Sequence, residues 1–312
     1  MLRLTHYALA LTVVLIAGCT SAPKHHHTMH IQSEAGIPVD AQFQLAPLAS
    51  EKLLFRGTAK SAVAEDNYGM VYMGDAGIVG LIAGIATHAA LESNLQNSEA
   101  RRAQDLADKA LEPFLPSLKQ LGSTYSLESL VNHPALTEDN TSQSSLYLSL
   151  HPIFFITDDH STLTLKNIVS VHQSSRQESA IYQNMIEVVS VLPKELENAP
   201  VEKQLEVFKE ITQQQLSESV ALGLKDAMNH LSPNEAMQTF RYSESGKYSY
   251  ERASLIEKTC TKVVIRTLRK WIKSRPIELF PDIQDTQREV CAGAVKIETL
   301  SETKLTAFRQ AS

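Results

Sequence analysis

The chain has 312 residues, 43% of them hydrophobic, and 29 Lys and Arg against 35 Asp and Glu, for a formal net charge of −6. That length and apolar content allow a sizeable core in one large domain or two small ones and argue against a disordered chain. The acidic balance argues against a nucleic-acid binder, which needs a basic footprint.

The amino terminus opens with Met1, Leu2 and Arg3, one positive charge, and continues from Tyr7 to Ala17 without any charge. An apolar run of about 11 residues has the length of a signal-peptide core and falls well short of the roughly 20 needed to span a bilayer. It ends in Leu15, Ile16, Ala17, Gly18 and Cys19. This stretch resembles the lipobox of bacterial lipoproteins, in which a leucine and small residues precede a cysteine. The resemblance implies that residues 1–18 are removed, that Cys19 takes a diacylglyceryl group and an N-acyl chain such as palmitate, and that the mature chain is held on a membrane by its lipid. Three acyl chains anchor permanently where one binds only reversibly. By the sorting rule of enterobacterial lipoproteins, Thr20 in place of an aspartate implies the outer membrane, with the domain facing the periplasm.

Residues 19–38 are rich in Ser, Thr, Pro, Gly and His and show no apolar period, so they are expected to be a flexible tether. His25, His26, His27 and His30 are candidate metal ligands by type. A flexible stretch lacks the surrounding groups that orient ligands, so a solvated linker is expected, with no cofactor. Residues 39–312 are expected to form one globular periplasmic domain, with a candidate subdivision near residue 140.

Residues 41–57 carry short apolar runs consistent with strand or helix. From Ala76 to Leu91 no residue is charged, and Ala76, Gly80 and Gly84 recur every four, with Gly77 beside them. Small residues four apart let another backbone approach closely along a helix. One reading is a helix that inserts in a membrane or packs into a homo-oligomer; the other, favoured by a length short of a span, is a helix lying on the domain's own sheet. Ser98–Leu121 has apolar residues near helical spacing, with Pro113 and Pro116 expected to bend or divide it and Gly122 to stop it.

The period then changes. Leu146 to Ile156 and Leu163 to Val171 alternate as two strands of a hairpin around Thr157–Ser161, and Ile181–Leu192, apolar on both faces in its second half, predicts a central strand. Pro200–Leu231 is a long amphipathic helix. Met237–Tyr242 and Lys247–Arg252 flank Ser245 and Gly246 as a second hairpin, and Val263–Leu268 continues the sheet. This order predicts an α+β or mixed α/β fold, with a mainly antiparallel sheet and packed helices.

Chemistry-bearing motifs are few. The sequence has no G-x-S-x-G elbow, H-E-x-x-H pair, phosphate-binding loop or dinucleotide fingerprint. Asp158, Asp159 and His160 are the one compact titratable cluster, and a turn is the expected role of such residues. Arg266, Arg269, Lys270, Lys273 and Arg275, with Trp271 among them, are expected to form a solvated face, with anionic lipid or an acidic partner as the alternative. With Cys19 acylated, Cys260 and Cys291 remain for a disulfide in an oxidising compartment, worth roughly 3 to 4 kcal/mol for a loop of about 31 residues.

Three stretches, GIVGLIAGIATHAALES, IYQNMIEVVS and YSYERASLIEKTCTKVVIRTLRKW, make the mature chain similar to a group of uncharacterised outer-membrane lipoproteins of proteobacteria. That resemblance brings one exported domain and no activity. The expected function is a non-enzymatic binding or assembly module of the cell envelope, with a protein partner. The alternative is a self-assembling, membrane-active or secretion-associated lipoprotein that uses the 76–91 helix.

Overall fold

The computed structural model describes residues 30–32, 36–38, 41–46, 53–58, 102, 104–136, 146–174, 179–233 and 236–283. Cys19, His25, His26, His27, Ala76, Gly77, Gly80, Gly84 and Cys291 lie outside the described residues.

The long strands form where the sequence alternates. β4 (Leu146–Ile156) and β5 (Thr162–His172) pair antiparallel around the expected turn, and β5 pairs antiparallel with β6 (Ala180–Val191). β7 (Gln238–Glu244) and β8 (Lys247–Lys258) make the second hairpin, and β9 (Lys262–Thr267) and β10 (Ile272–Pro276) complete a second meander. Before them come three short strands, β1 (Ile31–Gln32), β2 (Phe43–Leu45) and β3 (Leu54–Gly57). Among the described residues the sheet runs β2-β4-β5-β6-β10-β9-β8-β7, with β3 beside β4 and β1 beside β6.

The fold is α+β, as expected, but the sheet is mixed. β2 and β3 both run parallel to β4, and β10 runs parallel to β6. A parallel neighbour needs a crossover, and that between β6 and β10 contains α3 (Val201–Ala227) and the β7–β9 strands. Pro152 sits inside β4 without breaking it, because β2 pairs with Leu146–Leu148 and β3 with Ile153–Ile156, which leaves the outer edge opposite Pro152 without a ladder partner in either strand. Ile31 and Gln32, in the stretch expected to be tether, are paired with Gln183 and Tyr182 of β6.

Ahead of α3, a 3-10 turn over Asp108–Phe114 leads into α1 (Leu115–Thr124) and α2 (Leu127–Leu130). The two prolines divide this helical stretch as expected: Pro113 falls inside the 3-10 turn and Pro116 in the first turn of α1. Gly122 does not stop α1, which runs to Thr124; the extended Tyr125 ends it. No helix among the described residues is long and apolar enough to cross a membrane.

α3 lies on the face of the sheet that carries Leu148, Leu150, Phe154, Leu163, Leu165 and Val169, and it contributes Phe208, Leu216, Val220 and Leu224 to that core. Its inner stripe is half polar. Gln204, Thr212, Gln215 and Ser219 are buried too, and Gln204, Gln215 and Ser219 meet backbone or side-chain partners on the elements beneath. Gln215 Nε2 donates to the Leu163 carbonyl at 2.7 Å and to Ser190 Oγ at 3.0 Å, and Asn167 Nδ2 donates to Ser219 Oγ at 3.0 Å. Such bonds fix the helix in one register on the sheet, where apolar packing alone tolerates sliding.

Two helical glycines make opposite predictions. A Cβ on Gly223 would stand 2.7 Å from Val169 Cγ1 and 3.1 Å from its Cβ, a stiff branched side chain in the middle of the sheet, whereas a Cβ on Gly122 meets nothing within 4 Å. Gly223→Ala is therefore expected to destabilise by about 1 to 2 kcal/mol through overpacking. Gly122→Ala is expected to stabilise by about 0.5 to 1 kcal/mol through helix propensity. Urea unfolding of the two variants beside wild type measures both.

Candidate functional site

The last turn of α3 brings a carboxylate into the protein where helix electrostatics oppose it. Asp226 is buried at the carbonyl end of the helix, which already carries partial negative charge. Compensation comes from three other elements. Arg266 of β9 donates to Oδ1 at 2.7 Å, while Tyr182 Oη and Asn184 Nδ2, two apart on β6 and so on one face, donate to Oδ2 at 2.9 and 2.8 Å. His30 Nε2 stands 3.7 Å from the same oxygen, its ring edge-on to Tyr182. Gln32 of β1 donates to the Asp226 carbonyl at 3.1 Å and to Asn229 Oδ1, Arg266 also donates to the Leu231 carbonyl at 2.6 Å, and Asn184 Nδ2 to the Lys270 carbonyl at 3.0 Å. Burial alone would raise the Asp226 pKa, but the His30 imidazole, the Arg266 guanidinium and the Asn184 amide outweigh it and hold the carboxyl down at about 2. Tyr182 is pushed well above the ordinary phenol value by burial and by the Asp226 charge.

A second charged cluster lies on the opposite face of β6. Register places Lys166 of β5, Glu187 of β6 and Lys273 of β10 in one row across the sheet. Arg275, one row further, is hydrogen-bonded to Glu187 at 2.5 Å, and the Lys166 and Lys273 ammonium groups stand 3.5 and 3.8 Å from its other oxygen. Lys273 reaches Glu251 at 2.8 Å, and the Arg275 guanidinium lies 4.0 Å from the centre of the Tyr242 ring. In the ladder Arg275 is level with Val263 and, through it, Lys258, far from Tyr242. The contact therefore requires the β7–β8 hairpin to curl over this face and roof the charges.

Lys273 and Arg275 are only 5% and 3% exposed, so the basic run expected to be a solvated face is split: two of its members and Trp271 are interior, while Arg269 and Lys270 stay outside. The reason is pairing, since a buried charge is tolerated when opposite charge and hydrogen bonds surround it. Burial alone would raise Glu187, but Lys273, Arg275 and Lys166 hold it well below the usual carboxylate range. Burial would lower Lys273, and Glu187 outweighs it, raising the ammonium above its ordinary value.

The acid and imidazole of the β4–β5 turn have separate partners. Asp159 Oδ1 accepts from the Ser161 amide at 3.1 Å and from its hydroxyl at 2.7 Å, closing the turn as expected. His160, at φ 54°, points to Glu197 at 3.1 Å and packs edge-on against Phe114. A cavity of about 300 Å³ lies beyond β7, lined by Phe240, Arg241, Leu255, Phe280, Asp282 and Ile283, with Arg241 bonded to Asp282 across it.

Of the candidate site residues described, His30 is drawn to the Asp226 cluster and Cys260 is held in a disulfide at the β8–β9 turn. Among the described residues no group of three or more His, Cys, Asp or Glu could hold a metal ion. Sequence reasoning missed Asp226, Tyr182, Asn184, Arg266 and Glu187 as a set. A usable signal was present for two of them: Glu187 is a lone charge in the apolar stretch 185–192, and Asp226 sits at the wrong end of a helix.

Glu187→Gln removes the carboxylate shared by Arg275, Lys273 and Lys166, leaving Lys273 to Glu251 and Arg275 to the more distant Glu244, and is expected to destabilise by about 3 kcal/mol in chemical denaturation. For Asp226 the folded pKa lies below the unfolded one, so its contribution is present above about pH 4 and is lost as pH falls toward 2, roughly 2 kcal/mol in all. Asp226→Asn should be less stable at neutral pH and show a flatter acid limb in melting temperature against pH; an unchanged acid limb would contradict the pairing. No known protein family, curated protein or solved structure matches this chain, so its own residues carry the functional reading.

Proposed function

We propose that the protein is a lipid-anchored component of the bacterial cell envelope, held by acylated Cys19 on the outer membrane, whose domain is a non-enzymatic binding or assembly module for an envelope protein. The observation that carries this reading is the Leu15–Cys19 lipobox directly after an export signal core. The domain's construction supports it. The chain enters the sheet at Ile31, twelve residues beyond Cys19. At about 3.4 Å per extended residue, the sheet stands no further than about 40 Å from the lipid. At that reach the anchor positions the domain rather than merely localising it.

The titratable groups that are buried in numbers, around Asp226 and Glu187, are engaged with one another across four and five elements respectively. Charges committed in this way specify a single rigid arrangement of strands, which suits a platform.

Metabolic labelling with an alkyne fatty acid should tag wild type and leave Cys19→Ala untagged, and crosslinking in intact cells should recover one discrete envelope protein with wild type. An untagged wild type would overturn the anchor. A tagged protein that crosslinks only to itself would overturn the module and favour the self-assembling alternative.

A further inference from the structure

We propose that the β9–β10 turn, residues 268–270, is a membrane-facing tip that rests on an anionic leaflet beside the point where the tether leaves the domain. The inference rests on the lipid-anchor reading above and adds the surface that meets the bilayer.

The turn is built unlike an ordinary polar turn. Leu268 is 52% exposed at its apex, followed by exposed Arg269 and Lys270. Lys270 takes φ 66°, a conformation that favours glycine or asparagine, yet a lysine occupies it. The backbone is nonetheless well held: the Lys270 amide donates to the Thr267 carbonyl and the Thr267 amide to the Trp271 carbonyl, both at 2.9 Å, and the Arg269 guanidinium lies over the buried Trp271 ring at 5.0 Å. A hydrogen-bonded turn that presents one apolar side chain followed by two cations has the chemistry of a lipid-headgroup contact.

Its position supplies the occupant. Asn184 Nδ2 donates to the Lys270 carbonyl and also to Asp226 Oδ2, and His30 stands 3.7 Å from that same oxygen. Asn184 therefore links the turn to the carboxylate that His30, at the end of the tether, approaches. Eleven residues separate Cys19 from His30, at most about 38 Å of extended chain. α3, with 27 residues, is itself about 40 Å long and ends here. A tether that short favours apposing this end to the leaflet over the end where α3 begins.

Charge agrees. Around the turn, Lys225 and His230 at the end of α3 are exposed beside Arg269 and Lys270, while Asp226 is buried against Arg266 and Glu251 is engaged by Lys273. Among the described residues these exposed charges are basic, and each cation near an anionic leaflet raises partitioning about five-fold.

The test uses the full acylated chain reconstituted on brominated phosphatidylcholine vesicles with and without unlabelled phosphatidylglycerol. Trp271 is the chain's single tryptophan and provides the baseline; Leu268→Trp reports on the tip, and Lys194→Trp reports on the exposed far end. The expected result is bromine quenching and a blue shift for Leu268→Trp, stronger with phosphatidylglycerol, reduced by adding Lys270→Glu, and absent for Lys194→Trp. With Cys19 shown by mass spectrometry to be acylated, equal quenching of the two reporters, or none, overturns the tip and leaves the anchor standing. An unacylated Cys19 with Leu268→Trp still quenched overturns the anchor and supports the tip; unacylated and unquenched overturns both.

Discussion

The buried Asp226 carboxylate is the constraint on which the arrangement of this protein turns. An anion at the negative end of a 27-residue helix is stable only if donors are brought to it; the donors come from β6 and β9, and the His30 ring of the segment that leads into β1 stands 3.7 Å away. Each of those elements is otherwise a separate piece of chain: the amino-terminal entry, the last strand of the first meander and the third strand of the second. Meeting at one carboxylate fixes their relative positions, and it does so where the amino-terminal segment joins the sheet.

The other face of β6 has the same logic with the signs reversed in number. One carboxylate, Glu187, is met by three cations from β5 and β10, and the surplus positive charge is balanced by Glu251 and Glu244 from the curled hairpin. A buried network of this kind contributes little net stability compared with apolar packing of the same volume, but it penalises every arrangement that separates its members. β6 is thus pinned on both faces by charge, in the middle of a sheet whose apolar core lies on the helix side. The result is a rigid support for whatever its turns and edges present.

Much of the fold was legible in the chain. Alternation over Leu146–Ile156 and Leu163–Val171, the Ser245-Gly246 turn and the apolar Ile181–Leu192 stretch predicted β4 to β7 nearly in place and the first half of β8, which runs on to Lys258, because period-two patterning and turn residues are local signals. The 41–57 segment stayed open between strand and helix because β2 and β3 are only 3 and 4 residues long, too short to show a period. The parallel pairings were beyond reach, since they depend on partners about a hundred residues away for β2 and β3 with β4, and about ninety for β10 with β6. β10 was hidden by its own lysine and arginine, which look like surface until Glu187 is seen beneath them. Buried Gln215 and Ser219 were read past for the same reason: a polar residue in an inner stripe makes sense only with its partner, and the partner is not local.

β1, the end of α3 and the β9–β10 turn form one mechanical unit through Asp226. Native-state hydrogen exchange on wild type and Asp226→Ala measures this directly. The account predicts that amides of Ile31 and Gln32, of Tyr182–Asn184 and of Lys270 lose protection together in the variant while the β4–β5 hairpin keeps its own. Loss confined to the last turn of α3, with β1 and the β9–β10 turn unchanged, would contradict it.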